Sequence, residues 1–411
     1  MYTAIAKEEL RAERRSSRLN SGEHLPLMPG SSSSPSKKAP PPPLWRTLYD
    51  VLVGGYLNLL LLFLPLAFWA YYAQWHDGFV FSFNFLSMIP LAKIIGDATE
   101  DVAHHTGDFV GGLINATFGN AVEVIIAIFA LRSGEIALVQ SSLLGSILSN
   151  LLLVLGCCFM AGGVTQKESK FNEVGASANS SLLMVSAFAM LVPSYYQYTT
   201  FTEKPVTDAT VLSLSHITAI FLLLMYGQLL YFQMKTHAHL YEGVEQEDED
   251  DDDDDDGRMS LTSGLVVLGL ATLIVSILSE FLVASINGFV ESVHVSKSFV
   301  GIIILPIVGN AVEHLTAVRV ALKQRMELAL GVAVGSATQI SLFVVPVSVL
   351  AGWAMGQPMT LAFPTFEAVT YVTSVVIVYA IIVDGKSHWL EGSMLLTLYA
   401  LIAVSLLWIH V

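Results

Sequence analysis

Glu123 and Glu313 are the residues whose setting demands chemistry. Each lies in an apolar stretch and each closes the same pentapeptide, Gly119-Asn120-Ala121-Val122-Glu123 and Gly309-Asn310-Ala311-Val312-Glu313, 313 − 123 = 190 positions apart. A carboxylate at the centre of a membrane-spanning helix costs at least about 2.5 kcal/mol on insertion scales, so each needs a compensating partner. In each copy Asn and Glu are three residues apart and share a helical face. Brought together, the two faces would offer two carboxylates and two amide oxygens, a donor set for a hard divalent cation such as calcium, which takes about six to eight oxygen ligands. No cluster of His and Cys favours zinc or copper. Ser149 and Gln339 are equivalent at the same offset and, with Ser146 and Ser336, could add oxygens from the next span of each copy. Gly119 and Gly309 precede the asparagines and Pro306 lies just upstream of the second copy. Locally unwound backbone there could expose carbonyls to an ion.

The pairing also points to protons. Two nearby carboxylates in a dehydrated site repel each other, so bound metal and bound protons become alternative ways to neutralise them. An exchanger requires that competition, whereas a channel does not. A structural reading stands beside it, in which Asn and Ser join helices through interhelical hydrogen bonds. Glu100 and Glu280, related by the repeat if a gap is allowed, read either as gate or proton-path carboxylates or as solvated interfacial ones. Lys93 and Arg319 read as snorkelling or carboxylate-paired, and His314 as a packed structural residue.

The elements that must hold these residues are transmembrane helices. Of 411 residues 54% are hydrophobic and 13% charged, and the apolar runs suit spans of about 20 residues rather than the short alternating strands of a membrane barrel. The fold class expected is therefore an all-α polytopic membrane protein. The eleven candidate spans are 50–73, 79–103, 107–131, 135–162, 174–195, 209–234, 261–288, 297–322, 326–354, 360–384 and 389–410. Lys167, Lys170, Lys235, Arg258, Lys323, Arg325 and Lys386 fall on the N-terminal side of the membrane, against Arg132, Lys204 and Lys297 opposite. Basic residues accumulate on the cytosolic face, so the N-terminus is expected in the cytosol and the C-terminus across the membrane.

Residues 109–150 and 299–340 align without a gap, matching Phe109-Val110-Gly111 with Phe299-Val300-Gly301 and Gly145-Ser146 with Gly335-Ser336 as well as the pentapeptide. Apolar bias does not produce Gly, Asn, Glu and Ser in register, so the chain contains a duplication. Five spans per copy is an odd number, and the second copy then enters the membrane from the opposite side, the inverted-repeat plan of many secondary transporters. The expected organisation is a disordered cytosolic tail (1–43), a first helix with its flanks (44–78), a first five-helix repeat (79–235), an acidic cytosolic linker (236–260) and a second five-helix repeat (261–411).

Between Glu242 and Asp256 lie twelve carboxylates, so the net charge of −15 leaves only −15 + 12 = −3 for the rest of the chain. This tract reads as a solvated, self-repelling linker, or as a regulatory site drawing calcium to Glu245, Glu247, Asp248, Glu249, Asp250, Asp251 and Asp252. Cys157 and Cys158 are adjacent in an apolar segment and provide no disulfide framework.

The motifs NATFGNAVE (115–123), GSILSNLLLVLG (145–156), PIVGNAVEH (306–314) and LALGVAVGSATQI (328–340) make the chain similar to the cation/proton exchanger family, in particular the fungal vacuolar calcium/proton exchangers of the calcium:cation antiporter superfamily. The resemblance runs from about residue 44 to the C-terminus. It implies eleven spans with an extra first helix, a vacuolar membrane, and calcium import driven by the proton gradient. It also implies that Glu123 and Glu313 carry the exchanged ions, assisted by Asn120, Asn310, Ser149, Ser336 and Gln339. The acidic linker looks like the family's acidic helix, although a run of seven aspartates is a poor helix former. Calcium ions, protons and the lipid bilayer are the expected partners, with no nucleic acid, no cofactor and no enzymatic activity; oligomeric state is open. A sodium-coupled exchanger, a cation channel and an intramembrane hydrolase are the alternatives.

Overall fold

A computed structural model describes residues 43–106, 108–198, 208–238 and 259–408, and within these the chain is almost entirely helical. The expected acidic regulatory residues and the N-terminal tail lie outside the described residues. The first helices are α1 (Leu44–Val53), a 3₁₀ segment (Tyr56–Leu62), α2 (Phe63–Tyr72) and α3 (Asp77–Thr106). They are followed by α4 (Asp108–Phe118), α5 (Ala121–Arg132), α6 (Ile136–Leu148), α7 (Leu155–Thr165), α8 (Glu173–Tyr198) and α9 (Asp208–Tyr231). The remainder comprises α10 (Leu261–Val293), a short α11 (Lys297–Phe299), α12 (Leu305–Leu322), α13 (Met326–Gln339), α14 (Val345–Ala354), α15 (Thr365–Ile382) and α16 (Trp389–Trp408).

Nine helical segments among the described residues are long and apolar enough to cross a membrane, or ten if α1 and the stretch Tyr56–Tyr72 count as one bent span. Two expected spans differ from single rods. The first bends by 95° at Gly54-Gly55, where the amide of Gly54 closes α1 on the Asp50 carbonyl at 2.7 Å and Gly55 is extended. The bend sets α1 apart as an amphipathic helix with Trp45 and Tyr49 exposed, as at a membrane interface. The third breaks into α4 and α5 at Gly119-Asn120.

Among the described residues four spans contain a π-helical turn: Ser149–Val154 between α6 and α7, Phe232–Thr236 at the end of the α9 span, Val300–Ile304 between α11 and α12, and Ile340–Val344 between α13 and α14. Proline explains the need in two of them. Pro306 and Pro346 fall in the first turn after a wide turn, where a missing amide hydrogen breaks no ladder.

Packing is reciprocal between the two halves of the chain. α3 lies along α10, α8 along α15, α7 against α16 and α9 against α14. The most deeply buried spans are Ile136–Thr165 and Met326–Ala354, 83% and 72% buried over their apolar windows, so they form the centre. Among the described residues the one strand pairing is a two-residue antiparallel pair, β1 (Ser169–Lys170) with β2 (Lys386–Ser387), tying together the loops that precede α8 and α16.

Candidate functional site

The two copies of the pentapeptide meet, and they do so with different backbones. In the first, the Gly119 amide donates to the Asn115 carbonyl at 2.8 Å and ends α4; Asn120 leaves helical geometry and α5 restarts at Ala121. In the second, α12 runs unbroken through Gly309. The break, which the sequence does not require to be symmetric, falls at Gly119 and not at Gly309, although only the second copy carries the proline. The wide turn before α12 absorbs Pro306, and Gly309 serves close approach instead: a methyl group there would collide with Oε1 of Glu123. The Glu123 carboxylate thus rests on α12 one helical turn from Glu313.

The hydrogen bonds around this contact consume nitrogen donors and leave oxygens. Asn120 donates from Nδ2 to Oε1 of Gln339 at 3.0 Å, and Asn310 donates to the main-chain oxygen of Ser146 at 3.2 Å. Asn150 donates to Oγ of Ser336 at 3.0 Å and, more loosely at 3.5 Å, to Oε2 of Glu313. With the amides oriented by these donors, Oδ1 of Asn120, Asn150 and Asn310 and Oε2 of Glu123 are left buried without a hydrogen-bond partner. Buried polar atoms are ordinarily paired, so four such oxygens in one connected set of contacts mark a place for a positive ligand. Among the described residues no three His, Cys, Asp or Glu side chains converge as a metal cluster. A cation here would be held by two carboxylates with amide and carbonyl oxygens.

A cavity lined by Glu123, Ile126, Ser142, Leu143, Ser146, Leu305 and Gly309 opens beside the first carboxylate. The spans supplying its walls are α5, α6 and α12, whose apolar faces bury Ile126, Leu143 and Leu305. Glu123 is 9% exposed, whereas Glu313 is only half-buried.

The structure brings Asn120, Glu123, Ser146, Asn310, Glu313, Ser336 and Gln339 together, with Gly309 at the point of contact and Gly119 at the helix break. Ser149 is buried at the first residue of its wide turn, and among the described residues it donates to neither carboxylate. Glu100 and Glu280 are exposed on α3 and α10 and stand apart from the cluster. Lys93 pairs with Asp97 on its own helix, as expected of a basic residue in a span.

Two polar residues escaped the sequence reading. Asn150 offers Glu313 an amide from the other half of the chain, but the 190 offset maps it onto Ile340, so no duplicated signal marks it. Glu367, on α15, is 2% exposed; its Oε1 accepts from Oγ of Ser141 at 2.9 Å and of Ser298 at 2.8 Å, and its Oε2 has no partner.

Residues 76–235 and 263–408 match the family described as sodium/calcium exchanger protein. Over 359 residues the chain is 42% identical to a vacuolar calcium ion transporter of Schizosaccharomyces pombe, covering 87% of this chain and 85% of that one. It is 43% identical over 355 residues to a Ca(2+)/H(+) antiporter of Aphanothece halophytica, covering 84% and 94%. Among solved structures, the Ca2+/H+ antiporter protein YfkE aligns with a TM-score of 0.71 at 34% identity, over 85% of this chain and 98% of that one. An H+/Ca2+ exchanger, CAX, shares the fold with a TM-score of 0.59 at 11% identity, over 89% and 93%.

Proposed function

Because this chain belongs to the sodium/calcium exchanger protein family, and its relatives are transporters rather than enzymes, we propose that it is a calcium/proton antiporter of a vacuolar membrane. The observation that carries the reading is the oxygen-only site: Glu123 against α12, one turn from Glu313, with three amide oxygens lacking donors. A hard cation satisfies those oxygens and protons satisfy the carboxylates, so the two loads exclude each other.

The transport cycle follows from that exclusion. Calcium from the cytosol binds Glu123 and Glu313 with help from Asn120, Asn310 and the oxygens of Ser146, Ser336 and Gln339. The access route then switches, and protons from the acidic lumen displace the cation and return on the same carboxylates. Reciprocal packing of α3 with α10 and α8 with α15 supports two inverted five-helix repeats, 79–235 and 261–411, after one additional helix. Counting α4 with α5 as one broken span, and α1 with α2 as another, gives eleven. The distribution of basic residues supports a cytosolic N-terminus and a luminal C-terminus. The Asp-rich linker, 236–260, then faces the cytosolic calcium source.

Calcium-45 uptake into proteoliposomes with an acidic interior tests the reading. Wild type takes up calcium only while the pH gradient lasts. Glu123→Gln and Glu313→Gln each reduce uptake at least about 100-fold, because glutamine supplies neither the negative charge that holds the cation nor a group that takes up and releases the exchanged proton. Uptake indifferent to the gradient, uptake driven by an outward sodium gradient instead, or uptake surviving both substitutions would sink it.

A further inference from the structure

Glu367 is a buried carboxyl group that the exchange cycle above does not use. It lies on α15, 2% exposed, with no basic side chain bonded to it. Both of its hydrogen bonds come from serine hydroxyls and both end on Oε1, which leaves Oε2 as the oxygen with room for a proton. A carboxyl group in such a place has to be neutralised by a proton or by a cation.

Its position gives that requirement a use. Ser298, one of its two donors, follows Lys297, which pairs with Glu135 at 2.8 Å at the end of the bundle where α6 begins. Ser141, the other donor, precedes Ser142, which lines the cavity shared with Glu123. Glu367 therefore stands between a solvated ion pair and the central cavity, at the end assigned above to the lumen.

The groups around it are few. Lys297 and Glu135 satisfy each other, and α6 presents Gln140, a neutral amide held by the Thr360 and Ala362 carbonyls. On α15 itself Tyr371 is one turn away and bonds Ser186 and Ser341. The charged residue of α8, Glu173, and that of α16, Glu391, belong to the opposite ends of those helices. No described side chain supplies a fixed positive charge to Glu367.

We propose that Glu367 is a proton-carrying station on the luminal branch of the exchange path, receiving a proton from luminal water and passing it toward Glu123. In the forward step the O–H bond at Glu367 Oε2 breaks and an O–H bond forms at the Glu123 carboxylate, through the serine hydroxyls and water entering the cavity. The negative charge moves to Glu367, and a proton from the lumen restores it. Calcium does not need this route, because the serines and a single carboxylate offer too few oxygens for it.

The proposal rests on the antiport reading, and the test separates the two. Wild type and Glu367→Gln are reconstituted, and two fluxes are compared: calcium uptake driven by an acidic interior, and calcium-for-calcium exchange without a pH gradient. Glutamine keeps an acceptor for both serine hydroxyls but carries no exchangeable proton. The expected result is a loss of at least about tenfold in proton-driven uptake, with a flattened dependence on internal pH and calcium-for-calcium exchange within about twofold of wild type. Equal proton-driven uptake in the two proteins, or a parallel fall in both fluxes of a folded variant, overturns the role of Glu367. Absence of proton-driven uptake in wild type overturns the antiport reading and this proposal with it. Should Glu367→Gln fail to fold, Ser298→Ala keeps the carboxyl group and removes one donor. The internal pH for half-maximal uptake then shifts, and an unchanged midpoint overturns the proposal.

Discussion

Glu123 and Glu313 have identical sequence settings and unequal surroundings. Glu313 receives the Asn150 amide and lies within hydrogen-bonding reach of Ser336, whereas Oε2 of Glu123 has no partner and Oε1 presses on Gly309. The missing side chain at position 309 is what permits that approach. Gly309→Ala is expected to leave the helix intact, since alanine favours helix by about 1 kcal/mol over glycine, and yet to displace the carboxylate. Uptake should fall at least about tenfold while the thermal midpoint of the purified protein stays level or rises. Normal uptake by this variant would show that contact between Glu123 and α12 is incidental to transport. Duplication made Asn120, Glu123, Asn310 and Glu313 legible in the sequence. Asn150 and Glu367 were illegible for the same reason inverted: the offset pairs them with Ile340 and Ser177, so each carries only one copy of its signal.

The elements were legible to the extent that hydropathy reports them. Long apolar runs gave α3 and α10 as rods, but a break of two residues does not change an averaged hydropathy, so the separation of α4 from α5 is invisible to it. The wide turns were hidden as well, because they keep every residue helical and only shift which carbonyl each amide meets. One of them packs closer than the sequence could announce. A methyl group on Gly145 of α6 would lie 2.5 Å from Cα of Ile302 and 2.7 Å from the Gly301 carbonyl, and one on Gly301 would lie 2.6 Å from Cβ of Ser141. Backbone meets backbone here, so no rotamer change can relieve an added atom. Gly145→Ala is expected to cost about 1–3 kcal/mol, the usual range for overpacking, and to lower the thermal midpoint. The contrast with Gly309→Ala is the informative comparison, because there the obstacle is the mobile end of a side chain. A midpoint unchanged in Gly145→Ala would mean that α6 and the Val300–Ile304 turn do not pack as described.

At the scale of the molecule, the two halves of the chain are tied at both ends. At one end β1 and β2 pair the loops before α8 and α16. At the other, Glu135, at the turn between α5 and α6, holds Lys297 at 2.8 Å and accepts from Asn287 of α10 at 3.0 Å. In the proposed cycle one half rocks against the other and loosens these ties in alternation; with the orientation proposed above, the second tie faces the acidic lumen and has to persist there until the site opens. Partial burial pushes the Glu135 carboxyl up, but the hydrogen bonds from Lys297 and Asn287 and the Lys297 charge outweigh it and hold the group below its ordinary 4.5. A carboxyl lowered on folding stabilises the protein above its unfolded value, and the contribution disappears as pH falls through the folded value. The tie therefore survives at any pH above about 4.5, and because Lys297 is partly solvated it contributes about 1 kcal/mol or less. Glu135→Gln should lower the thermal midpoint at pH 7 and at pH 5.5 by the same small amount, with the two proteins converging only below pH 4.5. A difference that vanishes already at pH 5.5 would make this contact a lumen-sensing latch instead of a permanent strut, and would assign the opening step at that end to protonation of Glu135.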